Sequence, residues 1–306
     1  MLTFIVRRLL QTIPVIIGVT ILTFSLMHLI PGDPAQIMAG ESASPEQIEL
    51  MRERLGLNDP LPIQYFDYLK GIIQGDLGNS IRSGREVSGE IALRLGNTVE
   101  LAFYSTVLSV FIGLIAGVIS AVRRYTFIDT FVMIIALFGL SMPAFWLGLM
   151  LIRYVAINSD LFAASGWGTW SQMVLPIITL GTAGAAIIAR MTRSSMLEVI
   201  DQDYIRTARA KGVKEQVVVY RHALKNALIP VVTVVGLQFG SLLGGAVITE
   251  SVFAINGIGR LIVDSIRSRD FPIVQGGILV LSVLFVVVNI IVDIAYRYLN
   301  KRIDLN

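Results

Sequence analysis

Three side chains are the first candidates for catalysis or metal binding in this chain: His28, His222 and Ser141, which lies two residues after Gly139. The histidines are too far apart in sequence to form a metal pair by local spacing. The segment Gly139-Leu-Ser-Met-Pro143 has half the pattern of a nucleophile elbow but lacks its closing glycine. Gly257-Ile-Gly259 lacks the third glycine of a dinucleotide loop, and the absence of cysteine excludes thiolate chemistry. We therefore predict no catalytic residue, no metal site and no cofactor site on this chain.

Motifs that convert energy are also missing. No Gly-Lys dipeptide occurs in the sequence, which excludes the phosphate loop of P-loop ATPases. The central thirds of the apolar runs described below carry no charge, whereas ion-coupled carriers keep charged residues there to bind the ion. Asp293 and Arg297 are spaced as an i,i+4 pair at the end of the last run, which is typical of an interfacial ion pair. A transporter built on this chain would take its energy from another subunit or from the gradient of its solute.

The composition indicates a membrane protein. Hydrophobic residues make up 54% of the 306 residues and charged residues 15%, and the mean hydropathy is +0.72. A formal net charge of +3 is too small to indicate nucleic-acid binding. Six apolar runs are near the roughly 17 to 25 residues that a helix needs to cross a bilayer, and in lipid each must be helical. These runs are Leu9–Ile30, Thr98–Val122, Phe131–Ile152, Met173–Ala189, Leu228–Thr249 and Ile273–Val292.

The distribution of basic residues predicts how these spans are oriented. Of the 25 Lys and Arg residues, 15 lie on the side that holds both termini, and the others are spread over longer segments. Both termini are therefore expected in the cytoplasm. The first run follows Arg7-Arg8 but is too long for a signal-peptide core and lacks a small-x-small cleavage site. We expect it to be an uncut membrane anchor.

The largest segment expected outside the membrane is Pro31–Asn97, which is rich in Gly, Pro and acidic residues. Within it, Pro45–Leu55 is predicted to be a helix, with Ser44 as the N-cap and Gln47 at the capping-box position. A second amphipathic stretch is expected to lie along the membrane surface. That stretch contains Tyr65, Tyr68, Leu69 and Ile72.

Small residues recur at helical spacing within two runs. Gly236, Gly240 and Gly244 follow one face of the fifth run, and Gly113 and Gly117 do so in the second. Such spacing lets two helix backbones approach closely, either within this chain or between subunits. Gln238 and Ser241, beside the glycines of the fifth run, are candidates for the polar lining of a path through the membrane.

The charged segment Arg190–Ala227, between the fourth and fifth runs, is unusually long and basic for a connection between spans. Asp201 or Asp203 is expected to cap a short helix that runs through Lys211 and stops at a left-handed Gly212. We expect the groove of a soluble partner to close over Tyr204, Ile205 and Ala208, with Arg206, Arg209 and Lys211 at its rim. A solvated basic loop would explain the charge but not the helical spacing.

A second helix is predicted in the charged segment, and it leads into the fifth span. Pro230 is expected in the first turn of that span, where proline is tolerated. One face of this second helix would be apolar, and Arg221 and Lys225 would lie on the opposite side. The residues of the apolar face are Val217, Tyr220, Leu224 and Ala227.

The charged segment also matches a known motif, in which Glu-Ala-Ala is followed after three residues by Gly and later by Leu-Pro or Ile-Pro. Ala208 matches the last Ala of that motif, Gly212 its Gly, and Ile229-Pro230 its Ile-Pro pair. Arg206 and Thr207 stand in place of the Glu and the first Ala. Further motifs are His28-Leu-Ile-Pro-Gly-Asp-Pro34, Gly75-Asp-Leu-Gly78, Arg190-Met-Thr-Arg-Ser-Ser195, Thr249-Glu250 and Arg269-Asp-Phe-Pro-Ile-Val-Gln-Gly276. Together they resemble the ABC transporter permeases that serve dipeptide, oligopeptide, glutathione and nickel import with a binding protein. Ile255-Asn256 departs from the Trp-Pro usual in that branch, and the loop between the third and fourth spans is short, whereas some dipeptide members carry an insertion there.

The resemblance implies the type I ABC importer permease fold in a bacterial or archaeal cytoplasmic membrane. It divides the chain into residues 1–97, the first span with an extracytoplasmic cap, and residues 98–306, a five-helix core with the coupling loop 190–227. The implied partners are a second homologous permease, two cytoplasmic ATPases that bind ATP and Mg²⁺, and an extracytoplasmic binding protein. The residues implied to couple to the ATPase are Tyr204, Ile205, Thr207, Ala208, Arg209, Lys211 and Gly212.

The resemblance makes this chain a transport subunit and not itself an enzyme. Peptides are the leading candidate for the solute, and glutathione and chelated nickel are the alternatives within the same assembly. A self-sufficient secondary carrier or channel is the alternative of a different class. An intramembrane enzyme is disfavoured because the spans lack paired acids and a Ser/His set.

Overall fold

The computed structural model describes residues 2–29, 33–40 and 43–299, and these ranges contain helices and no β-strand. Several residues named above lie outside the described residues. They are Ile30 at the predicted end of the first span, Pro31-Gly32 of the motif His28–Pro34, and the basic residues Lys301 and Arg302. The helices up to the charged segment are α1 (Leu2–Leu29), α2 (Pro34–Ala39), α3 (Pro45–Arg54), α4 (Leu61–Gln74), α5 (Val87–Val122), α6 (Phe127–Ser141), α7 (Ala144–Leu151) and α8 (Trp170–Ile200). Those that follow are α9 (Asp203–Ala210), α10 (Glu215–Val217), α11 (Leu224–Gly245), α12 (Val247–Val252), α13 (Ile258–Ser268) and α14 (Phe271–Leu299), with π-helical turns at Ile152–Ala156 and Val218–Ala223.

The prediction of an all-α membrane protein is confirmed. Five of the described helices are long and apolar enough to cross a membrane, and there are six candidate spans if one bent pair counts as a single span. That pair is α6 with α7 and its π-helical turn, and it bends by 97°. The predicted third span over Phe131–Ile152 thus corresponds to a pair of helices with a break between them. Pro143 explains the break, since proline disfavours a helical residue before it, and Met142 is extended at φ −80° and ψ 121°.

The helices of several spans extend beyond the predicted apolar runs, and two of them show why. The second span belongs to α5, whose 36 residues make a rod of about 54 Å, much longer than the hydrocarbon of a bilayer. The fourth span belongs to the 31-residue α8, which continues to Ile200 and so includes the first part of the charged segment. Polar residues at the ends of these helices hide both extensions from a search for apolar runs.

The described chain comprises two compact units, Met1–Gly96 with Asn256–Leu284 and Asn97–Ile255 with Phe285–Asn306. In the first unit, Val87 and Ile91 of α5 pack with Ile262 of α13 and Ile273 of α14. In the second unit, one apolar cluster joins the end of α5 to α8, α9 and the π-helical turn at Val218–Ala223. That cluster positions the charged segment.

The region after α1 contains the helix and the capping box predicted from Ser44 and Gln47. The Ser44 hydroxyl accepts from the Gln47 N–H, and the Gln47 side chain accepts from the Ser44 N–H. The amphipathic stretch forms α4, which packs against α1: the hydroxyls of Tyr65 and Tyr68 each lie 2.9 Å from a threonine hydroxyl. The threonines are Thr20 and Thr23, and both are buried. The stretch is therefore fastened to the first span by hydrogen bonds.

Candidate functional site

The short helix of the charged segment is α9, Asp203–Ala210, which begins directly after the C-terminal end of α8. Its N-cap is Gln202, at φ −74° and ψ 150°, and no side chain caps it. The expectation that Asp201 or Asp203 would cap it is wrong, because Asp201 ends α8 and Asp203 lies in the first turn of α9. A carboxylate in the first turn still stabilises a helix by its charge.

The C-terminal end of α9 is a Schellman motif centred on Gly212. The Val213 N–H donates to the Ala208 carbonyl over 3.3 Å, and the Gly212 N–H donates to the Arg209 carbonyl over 2.9 Å. Gly212 has φ +75°, as predicted for a left-handed stop. Apart from Gly212 itself and its two neighbours in the chain, no atom lies within 4 Å of the position that a Cβ on Gly212 would occupy. Within this chain, the left-handed backbone and not crowding therefore explains the glycine.

One side of α9 belongs to the apolar core of the chain itself. Ile205 is 0% exposed and packs in a cluster with Met196 of α8 and Val218. Ala208 is half-buried against the same cluster. The expectation that a partner's groove closes over Ile205 is wrong, since the chain already covers that side chain. The exposed residues of α9 and its end are Asp203, Tyr204, Arg206, Thr207, Arg209, Ala210, Lys211 and Gly212.

Two polar contacts hold α9 against the helix that follows. Nδ2 of Asn226 donates to the Tyr204 hydroxyl over 2.7 Å. The Arg209 guanidinium donates to both carboxylate oxygens of Glu215, over 2.6 and 3.1 Å. The hydrogen bonds to the Glu215 carboxylate raise the pKa of Arg209. These contacts brace the loop after Gly212 and leave Arg206, Thr207 and Lys211 exposed to solvent.

The second predicted helix exists, but it is continuous with the fifth span over Glu215–Gly244. Pro230 therefore lies inside α11 and not in the first turn of a span. The apolar face is also shifted: Val218, Val219, Ala223 and Ala227 are buried, whereas Tyr220 is 62% exposed. The physical reason is the π-helical turn, because its wider i→i+5 repeat rotates the residues before it relative to α11.

The glycine stripe of the fifth span packs mainly against α14 of the same chain. A Cβ on Gly236 would collide with the Val292 side chain, and a Cβ on Gly240 would lie 3.1 Å from the Phe285 ring. Gly244 has open space around it. Gln238 is half-buried, with its amide 4.0 Å from where a Cβ on Gly184 would lie, and Ser241 is exposed. The role of these two polar residues in a path stays a prediction.

A buried polar network beside the charged segment has no counterpart in the sequence-based predictions. The Asp129 carboxylate at the start of α6 accepts from Nε and Nη2 of Arg193, each over 2.7 Å. It also accepts from the Ser120 hydroxyl of α5 and, over 3.0 Å, from the Tyr125 N–H. Arg193 stands inside one of the motifs, which was its only signal, since no local spacing connects it with Asp129.

Comparison with known protein families covers both units. Residues 110–305 match the family described as binding-protein-dependent transport system inner membrane component. Residues 1–102 match the family described as the N-terminal part of binding-protein-dependent transport system membrane components. The two matches together span almost the whole chain.

Curated relatives align along their full length. The dipeptide transport system permease protein DppB of Alkalihalophilus pseudofirmus is 47% identical over 332 aligned positions, with 99% of both chains covered. The glutathione transport system permease protein GsiC is 46% identical over 303 positions in both Pectobacterium atrosepticum and Escherichia coli K12, again with 99% of both chains covered.

A solved structure shares the fold. An inward-facing structure of the MetNI methionine ABC transporter matches with a TM-score of 0.56 and 22% identity, covering 69% of this chain and 96% of that one. At this identity the match concerns the fold alone, and it agrees with a type I permease arrangement of helices. With the family matches and the full-length relatives, this chain belongs to the family of binding-protein-dependent transport system inner membrane components.

Proposed function

We propose that this chain is a permease subunit of an ATP-driven importer of peptides, and that ATPase subunits act on it through α9. The single observation that carries this proposal is a short basic helix between two spans, anchored from within by Ile205 and exposed on its other side. A flexible loop in its place would lose part of the binding free energy to its own ordering each time a partner bound.

The exposed part of α9 is the docking surface in this proposal. Arg206, Thr207 and Lys211 are exposed on it, and Tyr204 is 43% exposed and hydrogen-bonded to Asn226. Ala208 and Gly212 have small or no side chains, so nothing projects from the C-terminal end of α9 at these two positions. A groove in an ATPase that closes around this helix would push on Ile205 and hence on the residues of α8 and of the π-helical turn Val218–Ala223 that pack against it, because packed interiors deform little.

The proposed assembly contains a second homologous permease, two ATPases and a binding protein that presents solute. ATP and Mg²⁺ bind to the ATPases, since this chain has no phosphate loop. The excess of Lys and Arg favours cytoplasmic termini and a cytoplasmic α9 in a prokaryotic cell membrane. The path between the permeases would receive Gln238 and Ser241 as polar lining.

Peptides are the favoured solute class, because the relatives named above include a dipeptide and a glutathione permease. Glutathione is a second candidate with an observation of its own. The alignment with the dipeptide permease has 332 positions for a chain of 306 residues, so that relative carries segments which this chain lacks. The alignment with the glutathione permease has 303 positions and needs no such segments.

Reconstitution tests the proposal against a self-sufficient carrier or channel. Liposomes that contain both permeases and both ATPases, with ATP on the ATPase side and binding protein on the other, should accumulate labelled dipeptide or glutathione. Omission of ATP or of the ATPases should abolish uptake. Solute flux through this chain alone would contradict the proposal, and comparing the two solutes separates the peptide and glutathione alternatives.

A further inference from the structure

The Asp129 carboxylate connects three helices at one point. Arg193 binds it from α8 with two parallel hydrogen bonds, Ser120 binds it from α5, and Asp129 itself lies in the first turn of α6. The Asp129 side chain is 5% exposed and that of Arg193 is 25% exposed. A bidentate Arg–carboxylate pair has a fixed geometry, so this contact resists sliding and rotation as well as separation.

The turn between α5 and α6 is shaped around the same carboxylate. Tyr125 has φ +63°, a left-handed conformation that is costly for a residue other than glycine, and its N–H donates to Oδ2 of Asp129. Arg124 contacts both carboxylate oxygens of Asp201, over 3.0 and 3.1 Å. The connection between α5 and α6 is therefore bound to α8 by two ion pairs, one at Arg193 and one at Asp201, directly after the end of α8.

The ends of α5 and α8 near this ion pair also pack against α9. Val118 and Ala121 of α5 pack in one cluster with Met196 and Ile200 of α8 and with Ile205 of α9. Apolar packing alone permits small shifts between helices, because it is not directional. The ion pair adds a directional contact where α5, α6 and α8 meet at Asp129.

We propose that the Asp129–Arg193 ion pair is a positioning contact that makes the end of α8 and the start of α6 move together when α9 is displaced. The broken third span, α6 with α7, would thus follow the coupling movement. This inference rests on the proposed function, in which an ATPase displaces α9. Neither residue touches solute or nucleotide in this account.

The test compares solute transported per ATP hydrolysed in the complete reconstituted transporter. Arg193→Met and Asp129→Asn should assemble with the ATPases and keep basal ATP hydrolysis within about twofold, because α9 and its surface are unchanged. Solute moved per ATP should fall about tenfold or more. Arg193→Lys, which keeps the charge but not the bidentate geometry, should recover part of that loss.

Each single substitution leaves the remaining member of the pair without its counter-charge, which carries a free-energy penalty of its own. The double variant Asp129→Leu with Arg193→Met removes both charges and avoids that penalty. It should assemble and still show the loss of solute moved per ATP. Normal coupling in the assembled double variant would overturn the proposal, and so would a parallel fall of assembly, ATP hydrolysis and uptake in every variant.

Arg94→Met provides a matched control. Arg94 and Glu90 form another shielded ion pair, 2.5 Å apart, but both residues lie on α5. The Arg94 guanidinium also donates to Oδ1 of Asn256, which lies outside the charged segment. This variant should keep a normal ratio of solute to ATP, and an equal loss of coupling here would also overturn the proposal. If the unsubstituted transporter showed no ATP-dependent uptake, the proposed function itself would fail, which is a distinguishable result.

Discussion

The Tyr204 hydroxyl accepts a hydrogen bond from the Asn226 side chain, 2.7 Å away, and so joins α9 to the helix that becomes the fifth span. Tyr204 is also 43% exposed on the surface proposed for docking. One side chain therefore contributes both to the surface of α9 and to its connection with the membrane. In the proposed assembly, displacement of α9 would reach α11 directly through this bond.

Tyr204→Phe should weaken that connection and keep the ring. One hydrogen bond contributes about 1 kcal/mol, so we expect uptake to fall a few-fold while the amount of assembled transporter stays the same. Uptake and co-purification of the ATPases measure the two quantities. Tyr220→Phe is the matched control, because Tyr220 is 62% exposed. Equal effects of the two substitutions would contradict a specific role for the Tyr204 hydroxyl.

Substitutions at Gly212 separate the two explanations for that glycine. If its left-handed φ of +75° is what matters, Asn should be tolerated, and Val should destabilise the end of α9 by about 1 to 2 kcal/mol. Protease protection of the segment after Lys211 measures this local stability. If instead an ATPase packs directly on the backbone of Gly212, any side chain there would block the contact. Gly212→Asn should then prevent ATPase co-purification as strongly as Gly212→Val.

Bulk on α9 should block docking from its exposed side. Ala210 is exposed, and Ala210→Trp places a large ring on that surface. We therefore expect ATPase co-purification and uptake to be lost while the chain still inserts into the membrane. Ala208→Trp should also abolish both, but with added loss of local stability, since Ala208 packs against the core of its own chain. Normal uptake by either variant would contradict the docking surface.

The glycines of α11 should differ sharply in their tolerance of a side chain. Gly236→Ala places a methyl group on Val292, and overpacking of this kind costs about 1 to 3 kcal/mol. Gly244→Ala enters open space and should be nearly neutral. Thermal unfolding in detergent measures both. Adding Val292→Ala should restore the stability of the Gly236→Ala variant; failure of this rescue would argue against a contact between α11 and α14.

Local signals predicted local structure well in this chain. The capping box of Ser44 and Gln47 and the left-handed Gly212 each depend on a few neighbouring residues, and both are confirmed. The long apolar runs identified the spans for the same reason. The end of α8 was missed, because Arg190, Arg193 and Glu198 interrupt its apolar pattern although they continue the helix.

Features that depend on distant residues could not be predicted. The Asp129–Arg193 pair joins residues 64 positions apart, so no spacing rule connects them. The π-helical turn at Val218–Ala223 moved Tyr220 to the surface, and regular 3.6-residue periodicity had placed it on the buried face. For α9, helical spacing identified the helix, but only packing decided that Ile205 faces inward.

Site-directed photo-cross-linking tests the central claim, that ATPase subunits dock on α9, most directly. The chain contains no cysteine, so Thr207→Cys provides a single thiol for a benzophenone maleimide, and Arg82→Cys provides the control on an exposed loop outside the charged segment. In the assembled transporter, illumination should join the chain to an ATPase subunit from position 207 and not from position 82. Absence of an ATPase adduct from position 207, in a preparation that hydrolyses ATP and imports solute, would contradict the account.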